Sequence, residues 1–204
     1  MRVLLIFALL CQICAGADLA SNAVLIELEG RAVLSRTGSA AWDPAYTNQV
    51  LFPGDRLRTL DRSRAVVRLS DLSLLRLSEL THIQIAGATS HRGGFNLQRG
   101  LLYFFHRDKP GVMPVTTPTA YAVVLGTEFT VAVAEDDSTR LNLINGSVEI
   151  TNQFGAVTLT SGEAVQADAT SAPQQTPSLP ANESRSGVAA SVCLPASVLM
   201  KSVA

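Results

Sequence analysis

Apolar and polar residues alternate in one short run after another between Ala23 and Ala167. This period of two constrains the fold more than any other feature, because successive side chains of a β-strand point to opposite faces. Turn-forming pairs separate the runs at intervals of roughly 8–12 residues, the spacing expected of an all-β domain. These pairs are Pro53-Gly54, Gly93-Gly94, Pro110-Gly111, Asn145-Gly146 and Ser161-Gly162. With no helical period of useful length, the sequence predicts an all-β domain of short strands.

Glycines indicate how the predicted strands follow one another. Six glycines directly precede a strand-like run, at spacings too uneven for a strict repeat; they are Gly30, Gly100, Gly126, Gly146, Gly155 and Gly162. Glycine adopts positive φ angles without steric cost, so the pattern favours a β-roll or solenoid-like domain whose strands turn corners at glycines. A β-sandwich is the alternative. The chain is 47% hydrophobic and 16% charged, which is enough apolar material for a buried core.

Residues 1–17 have the features of a signal peptide. Arg2 precedes an apolar stretch from Val3 to Cys14, and Ala15-Gly16-Ala17 fits the small-x-small pattern of a cleavage site. The stretch is shorter than the about 20 residues needed to span a bilayer. We therefore expect cleavage between Ala17 and Asp18, and a periplasmic or secreted protein that does not span the membrane.

Two other interpretations of the N-terminus are a buried core helix and a lipoprotein anchor at Cys11 or Cys14. Leu10 and Ile13, which precede these cysteines, are bulkier than the small residue that an anchor site requires. Cleavage of the signal peptide would leave Cys193 as the single cysteine. The mature protein would then have no internal disulfide and no cysteine-based metal site.

The C-terminal part of the chain differs in composition from the predicted β domain, which covers residues 23–168. Residues 169–187 are rich in Pro, Ser, Gln and Asn and are interpreted as an unstructured linker. Residues 188–204 form a short, modestly apolar segment that fits either a docking helix or a docking strand. The prediction is thus a mostly disordered tail after the β domain.

Glu128 is the first candidate for catalytic chemistry, because it lies close to a glycine in the run TPTAYAVVLGTEFTVAV, residues 117–133. The alternation predicts that Phe129, Val131 and Val133 face the core. It predicts that Glu128, Thr130 and Ala132 face solvent. A catalytic carboxylate needs a second acid, a base or a metal nearby, and the sequence offers none at a meaningful spacing. Glu128 is therefore interpreted as a structural residue at the start of a core strand.

Other chemical signatures point the same way. His82, His91 and His106 are not spaced as metal-ligand pairs. The chain has no phosphate-binding loop, no dinucleotide fingerprint and no hydrolase nucleophile motif. We predict no cofactor, no metal and no enzymatic activity, with an enzyme acting on envelope glycans as a minor alternative. The net charge of -1 argues neither for nor against a charged partner. Nucleic acid is not an expected partner, because the chain is predicted to be exported.

The charges are unevenly distributed. Basic residues outnumber acidic ones between Asp55 and Lys109, and the balance reverses between Pro110 and Thr170. Five arginines alternate with apolar residues in the basic part: Arg56, Arg58, Arg64, Arg68 and Arg76. One interpretation is a set of solvated outer faces that protect sheet edges from aggregation. The other is a basic face that docks an acidic partner protein or an envelope phosphate.

Seven stretches, in the same order, resemble the FecR domain. They are WDPA (42–45), LFPGDRLRT (51–59), RAVVRLSDLSLLRL (64–77), LQRGLLYF (97–104), TPTAYAVVLGTEFTVAV (117–133), NGSVEITN (145–152) and LTSGEAVQA (159–167). The resemblance marks thirteen motif positions as structural: Trp42, Pro53, Gly54, Asp55, Gly100, Pro118, Gly126, Thr127, Glu128, Phe129, Gly146, Gly162 and Glu163. It implies an all-β, non-catalytic module.

The founding members of that family are iron-responsive sensors of Gram-negative bacteria. They have a cytoplasmic anti-sigma segment, one transmembrane helix and a periplasmic β-rich part that receives a signal from an outer-membrane transporter. This sequence differs: a signal peptide replaces the cytoplasmic segment, no internal transmembrane helix is recognised, and little follows the β domain. Anti-sigma activity is therefore not carried over.

The expected function is that of an exported, stand-alone FecR-like domain. It would act as a protein–protein interaction module in cell-envelope sensing of the iron-responsive sigma-regulator type. Its partner would be another envelope protein, either a transporter or a membrane regulator. The alternative is a structural or self-associating surface protein whose unlike charged halves stack head to tail.

Overall fold

The computed structural model describes residues 23–86, 94–106 and 111–178. Within these ranges the chain forms fifteen strands and no helix, which confirms the predicted all-β class. The strands are β1 (Ala23–Glu29), β2 (Ala32–Ser35), β3 (Asp43–Pro44), β4 (Gln49–Leu51), β5 (Arg56–Thr59), β6 (Arg64–Arg68), β7 (Leu74–Leu77), β8 (His82–Ile85), β9 (Phe95–Phe105), β10 (Gly111–Thr116), β11 (Tyr121–Val133), β12 (Thr139–Asn152), β13 (Gly155–Thr160), β14 (Ala164–Ala167) and β15 (Gln174–Thr176).

The hydrogen-bonded strands form two sheets that share three long strands. Sheet 1 has the order β4-β1-β6-β7-β9-β11-β12-β14-β15. Sheet 2 has the order β3-β2-β5-β8-β9-β10-β11-β12-β13. Strands β9, β11 and β12 contribute residues 100–105, 128–133 and 139–145 to sheet 1. Their other halves belong to sheet 2, so each long strand passes from one sheet into the other.

Glycines allow these strands to bend without ending. Gly126 and Gly146 are paired across β11 and β12, and a β-carbon at Gly126 would lie 2.6 Å from the carbonyl oxygen of Asn145. Gly146 has a φ of 121°, and Gly100 in β9 has a φ of 96°, both in the region that favours glycine. The turn predicted at Asn145-Gly146 is therefore wrong, because both residues lie inside β12. The three strands have 11, 13 and 14 residues, longer than the short strands predicted.

A single apolar core lies between the two sheets. Buried side chains of sheet 1, such as Val67 and Leu75, belong to the same cluster as Leu57 and Ile83 of sheet 2. The rings of Phe104 and Phe129 stack at 4.7 Å between centroids. The predicted inward positions Phe129, Val131 and Val133 are confirmed, since all three are buried. The fold thus combines the two architectures left open by the sequence, with facing sheets and strands that cross between them.

One part of the predicted disordered tail is ordered. Strand β15 lies within residues 169–187, the predicted linker, and pairs with β14 at the end of sheet 1. The Arg140 guanidinium donates a hydrogen bond from Nη2 to the carbonyl oxygen of Pro177 at 2.6 Å. The interpretation as an unstructured linker is therefore wrong for residues 174–176. These polar residues are ordered by backbone hydrogen bonds to the edge of β14, which needs no apolar side chains from them.

Several predictions lie outside the described residues. They concern the signal peptide at 1–17 with its cleavage at Ala17-Asp18, the three cysteines, His91, and the segment 188–204. In the described part of the chain, no helix has the length and apolar character needed to cross a bilayer.

Candidate functional site

Glu128 is buried, and the prediction that it faces solvent is wrong. Its side chain is 7% exposed, and the Tyr103 hydroxyl donates a hydrogen bond to Oε1 at 2.5 Å. The register of β11 against β12 shifts on both sides of Glu128. Alternation correctly placed the residue on the side of sheet 1 that faces away from the core. Alternation alone does not show whether that side is open to solvent.

The same face of sheet 1 holds other buried polar side chains. Thr130 was also predicted to face solvent, but it is buried and accepts a hydrogen bond from Nδ2 of Asn142 at 3.1 Å. Among the described residues, no three His, Cys, Asp or Glu side chains come together in a way that could hold a metal ion. Glu128 is therefore placed in a hydrogen-bonded polar layer on β9, β11 and β12.

The five candidate arginines do not form one basic face. Arg64, Arg68 and Arg76 lie on β6 and β7 of sheet 1. Arg56 and Arg58 lie on β5 of sheet 2. Both sheets turn their apolar residues toward the same core, so the two groups of arginines lie on different outer faces. The single basic face predicted from the sequence is wrong, because strand alternation gives the face of a sheet but not the sheet.

Two of the three arginines of sheet 1, Arg64 and Arg76, have partners close by. Arg64 Nη1 lies 4.0 Å from a carboxylate oxygen of Glu29 on the neighbouring strand. The Arg76 guanidinium lies 5.7 Å from the ring centroid of Tyr103. These two contacts fit the interpretation of a solvated outer face.

The arginines of sheet 2 form a compact cluster with an indole and an imidazole. We call Trp42, Arg56, Arg58 and His82 the arginine–tryptophan cluster. The guanidinium carbons of Arg58 and Arg56 lie 4.5 and 5.3 Å from the centroid of the Trp42 ring system. The His82 ring meets Trp42 edge to face, with centroids 5.5 Å apart. An indole face attracts cations, so Trp42 holds two positive charges side by side.

Strand pairing brings the members of the cluster together. Arg56 and Arg58 alternate with the buried Leu57 and Thr59 on β5, and Arg58 lies directly opposite His82 on β8. Nη2 of Arg56 donates to the Ser35 hydroxyl at 2.9 Å and to the Ser39 carbonyl oxygen at 2.8 Å. Nη2 of Arg58 lies 3.5 Å from Nδ1 of His82. The cluster is therefore positioned by strands β5 and β8 and by the loop after β2.

The cluster has an electrostatic signature. Burial, and then the charges of Arg58 and Arg56, lower the pKa of His82 from 6.5 to about 4. His82 is consequently neutral at pH 7, and its Nε2 atom is buried without a hydrogen-bond partner. Within residues 23–86, 94–106 and 111–178, the arginines that form ion pairs are Arg36, Arg62 and Arg64. Neither Arg56 nor Arg58 is therefore ion-paired with a carboxylate of the described residues.

The motifs and the alternation in the sequence indicate Trp42, Arg56 and Arg58, whereas His82 is interpreted as a lone histidine. The contact between β5 and β8 crosses more than twenty residues of sequence, and no local pattern encodes it. The signal that could have found His82 is its position in the alternation of β8, where Ile83 and Ile85 face the core and His82 faces away. His106, by contrast, contacts the Ser73 hydroxyl through Nδ1 at 2.7 Å.

Several motif positions have structural roles in the turns. Asp55 is 2% exposed and follows the turn Pro53-Gly54. It accepts hydrogen bonds from the backbone N–H groups of Thr37 and Phe52, each at 3.0 Å. The turn before β14 contains Gly162, and Glu163 accepts hydrogen bonds there from the N–H and hydroxyl groups of Thr160, at 2.6 and 3.1 Å. Thr127 lies within β11.

A shallow groove of about 530 Å³ lies beside the β10–β11 turn. Its walls are residues 116–121, which include Pro118, together with residues 151–154 and 168–169. The carboxylate in the groove is that of Asp168, and hydrogen bonds from Thr170 and Ser171 lower its pKa. This carboxylate is committed to a local turn, so the groove presents hydroxyl groups and exposed aromatic edges.

Comparisons with known proteins agree with this fold. Residues 55–149 match the model of the family described as FecR protein. The match covers the chain from the end of the Pro53-Gly54 turn into β12, and it confirms the resemblance to the FecR domain indicated by the motifs. A comparison with curated protein sequences finds no significant match.

The fold is also similar to two crystal structures, at 2.50 and 1.65 Å resolution, of a protein described as a candidate anti-sigma factor from Parabacteroides distasonis ATCC 8503. Each comparison gives a TM-score of 0.52 and 20% sequence identity, over 60% of this chain and 59% of that protein. The chain thus matches about three fifths of the length of that protein. At this level of identity the likeness establishes the fold alone.

Proposed function

We propose that this chain is a non-enzymatic interaction module in cell-envelope signalling of the sigma-regulator type. The match to the FecR family supports this class of function, and the likeness to a candidate anti-sigma factor is consistent with it. The module is exported, resides in the periplasm or outside the cell, and binds another envelope protein, a transporter or a membrane regulator. This chain receives or transmits the signal by contact.

The observation that carries the proposal is the outer face of sheet 2. Cross-strand pairing connects Arg56, Gln84, Asn96, Thr116 and Tyr121 in one row on this face. The arginine–tryptophan cluster, with its unbalanced positive charge, occupies one half of the face.

Exposed apolar side chains occupy the other half of the face. Tyr121 is 46% exposed, and Leu125, on the same side of β11, is 50% exposed. A face that carries arginine, tryptophan and exposed apolar side chains is typical of surfaces that bind proteins.

The hydrogen bonding of Glu128, the catalytic candidate, and of Asp168, the carboxylate in the groove, supports a non-enzymatic role. Glu128 is hydrogen-bonded to the Tyr103 hydroxyl, and Asp168 is bonded to groups of its own turn. A glycosidase of the usual kind needs two carboxyl groups facing each other across the substrate. The proposed activity is therefore binding.

In-cell crosslinking tests the proposal. A photoreactive amino acid replaces Leu125 in the tagged protein, and mass spectrometry identifies what it captures. A matched variant carries the same group at Gln166, an exposed residue of β14 in sheet 1. We expect a transporter or membrane regulator of the envelope at position 125 and little of it at position 166. Capture of the same proteins from both positions, or of this chain alone, would contradict the proposal.

The alternative function, self-association as a structural protein, is favoured by one observation. Glu135, Asp136 and Asp137 form an exposed acidic turn between β11 and β12, and this turn is complementary in charge to the arginine–tryptophan cluster of a second copy. Sedimentation velocity at low and high salt tests it. Salt-sensitive oligomers would favour stacking, whereas a monomer under all conditions would exclude it.

A further inference from the structure

We propose that the arginine–tryptophan cluster binds a carboxylate group on an acidic peptide segment of the partner protein. This inference rests on the proposed function and names the chemistry that the outer face of sheet 2 recognises. It follows from the geometry of the two guanidinium groups, from the missing counter-charge and from the apolar side chains further along the same face.

Arg58 provides the exposed guanidinium of the site. Its guanidinium carbon lies 4.5 Å from the Trp42 centroid, and its side chain is accessible to solvent. A guanidinium can rest on an aromatic ring and still donate N–H groups in its own plane, in the geometry that matches a carboxylate. Trp42 therefore restricts Arg58 without occupying its hydrogen-bonding capacity.

Arg56 provides a second guanidinium that is already fixed in place. Its two hydrogen bonds, to Ser35 Oγ and the Ser39 carbonyl oxygen, both use Nη2. In the described part of the chain its remaining nitrogens make no hydrogen bond. A group held in this way loses little side-chain freedom when a ligand binds, which favours affinity.

Among the described residues, no carboxylate forms an ion pair with the cations of the cluster. His82, on β8, lies near the charges of Arg56 and Arg58, which are on β5. Its partner on the other neighbouring strand, β9, is Arg99. The ring of Trp42, which precedes β3, contacts the His82 ring edge to face. The carboxylates of Glu29, Asp55 and Asp61 form ion pairs with other arginines. Two clustered cations repel each other, and an added carboxylate would relieve that repulsion.

The surroundings favour a peptide over a free phosphate. Cross-strand pairing continues from the cluster to Tyr121, and Leu125 lies further along the same strand. A peptide chain that places an acidic side chain on Arg58 could cover these apolar side chains. A small inorganic anion would leave them exposed to water.

The experiment follows His82 by NMR in the mature protein. The probes are a synthetic peptide of alternating glutamate and leucine, the same peptide with glutamine for glutamate, and inorganic phosphate. We expect the glutamate peptide to raise the pKa of His82 by about one unit, because a nearby negative charge favours the imidazolium. The glutamine peptide should not change it.

Matched variants separate specific binding from general attraction. R58Q should weaken binding of the glutamate peptide about tenfold, whereas R64Q removes an arginine from sheet 1 and should leave it unchanged. Equal effects of R58Q and R64Q, equal binding of the glutamine peptide, or phosphate binding as tight as that of the glutamate peptide would overturn the inference.

The two proposals can fail separately. If crosslinking from position 125 captures an envelope regulator but R58Q binds the glutamate peptide like the wild type, the carboxylate site is wrong and the proposed function stands. If neither position 125 nor the cluster engages a partner, the proposed function fails as well.

Discussion

At the scale of single residues, Asp55 shows how one buried carboxylate holds a turn. It accepts hydrogen bonds from two backbone N–H groups and from Arg36 Nη1, the last at 2.6 Å. Asp55→Ala leaves those N–H groups without their acceptor, and we expect it to lower the free energy of unfolding by about 2–4 kcal/mol. Urea denaturation measures the loss. Asp43→Ala, at an exposed position, is the control, and equal stabilities of the two variants would contradict the role of Asp55.

Leu72 has a backbone conformation that leucine rarely adopts. Its φ is 67°, and its side chain is 61% exposed, so burial does not compensate for the strain. A left-handed backbone costs roughly 1–2 kcal/mol for a residue with a β-carbon, and glycine removes that cost but is more flexible when unfolded. We expect Leu72→Gly to raise the free energy of unfolding by about 0.5 kcal/mol. Leu125→Gly, at an exposed strand position, should lower it; a loss in both variants would contradict the argument.

His82 should make stability depend on pH. Its pKa is lowered to about 4 in the folded chain, so the unfolded chain binds the proton more tightly. The free energy of unfolding is therefore not reduced by His82 above pH 6.5, where the residue is neutral in both states. It falls as the pH drops from 6.5 toward 4, because only the unfolded chain takes up the proton, and it does not change further below pH 4. After allowance for partial exposure the loss is about 1–2 kcal/mol. Denaturation at pH 7 and pH 4 measures the loss of free energy of unfolding on acidification, which should be smaller for His82→Gln than for the wild type. Equal losses in the two proteins would show that His82 is not the group responsible.

The candidate site could be predicted in part at this scale. Alternation correctly placed Arg56 and Arg58 on an outward face of their strand. It could not show that Trp42 and His82 join them, because cross-strand contacts depend on register and topology. It also failed for Glu128, since the hydroxyl that binds its carboxylate comes from Tyr103 on a different strand.

At the scale of elements, the long strands determine the shape of the domain. The glycines in the sequence mark where strands change direction. Because a change of direction is interpreted as the end of a strand, the sequence predicts separate short strands. The structure has continuous strands because the paired glycines Gly126 and Gly146 bend β11 and β12 at the same level. Hydrogen-bond continuity across a bend is a property of the pair of strands, so a single run of sequence does not reveal it.

Gly146 is therefore expected to tolerate no side chain. A β-carbon there would lie 2.7 Å from the carbonyl oxygen of Leu125, and its φ of 121° is strained for any other residue. We expect Gly146→Ala to lower the free energy of unfolding by about 3 kcal/mol or more. Gly155→Ala is the control, since its nearest neighbour would be the methyl group of Ala172 at 3.2 Å. Similar melting temperatures for the two variants would contradict this account.

At the scale of the whole molecule, one core supports two unlike outer faces. The outer face of sheet 1 carries a hydrogen-bonded polar layer and two arginines, Arg64 and Arg76, with nearby partners. The outer face of sheet 2 carries a tryptophan, exposed apolar side chains and two arginines that form no ion pair with the described residues. The sequence predicted the charge asymmetry along the chain but could not assign it to faces, because that assignment requires the topology of both sheets.

The central claim is that the outer face of sheet 2 binds an envelope partner. The most direct measurement is the affinity of the captured partner for two double variants with the same change in charge, R56Q/R58Q on sheet 2 and R64Q/R68Q on sheet 1. We predict that the sheet 2 variant loses at least about tenfold in affinity, while the sheet 1 variant changes less than about twofold. Equal losses, or a larger loss for the sheet 1 variant, would contradict the claim.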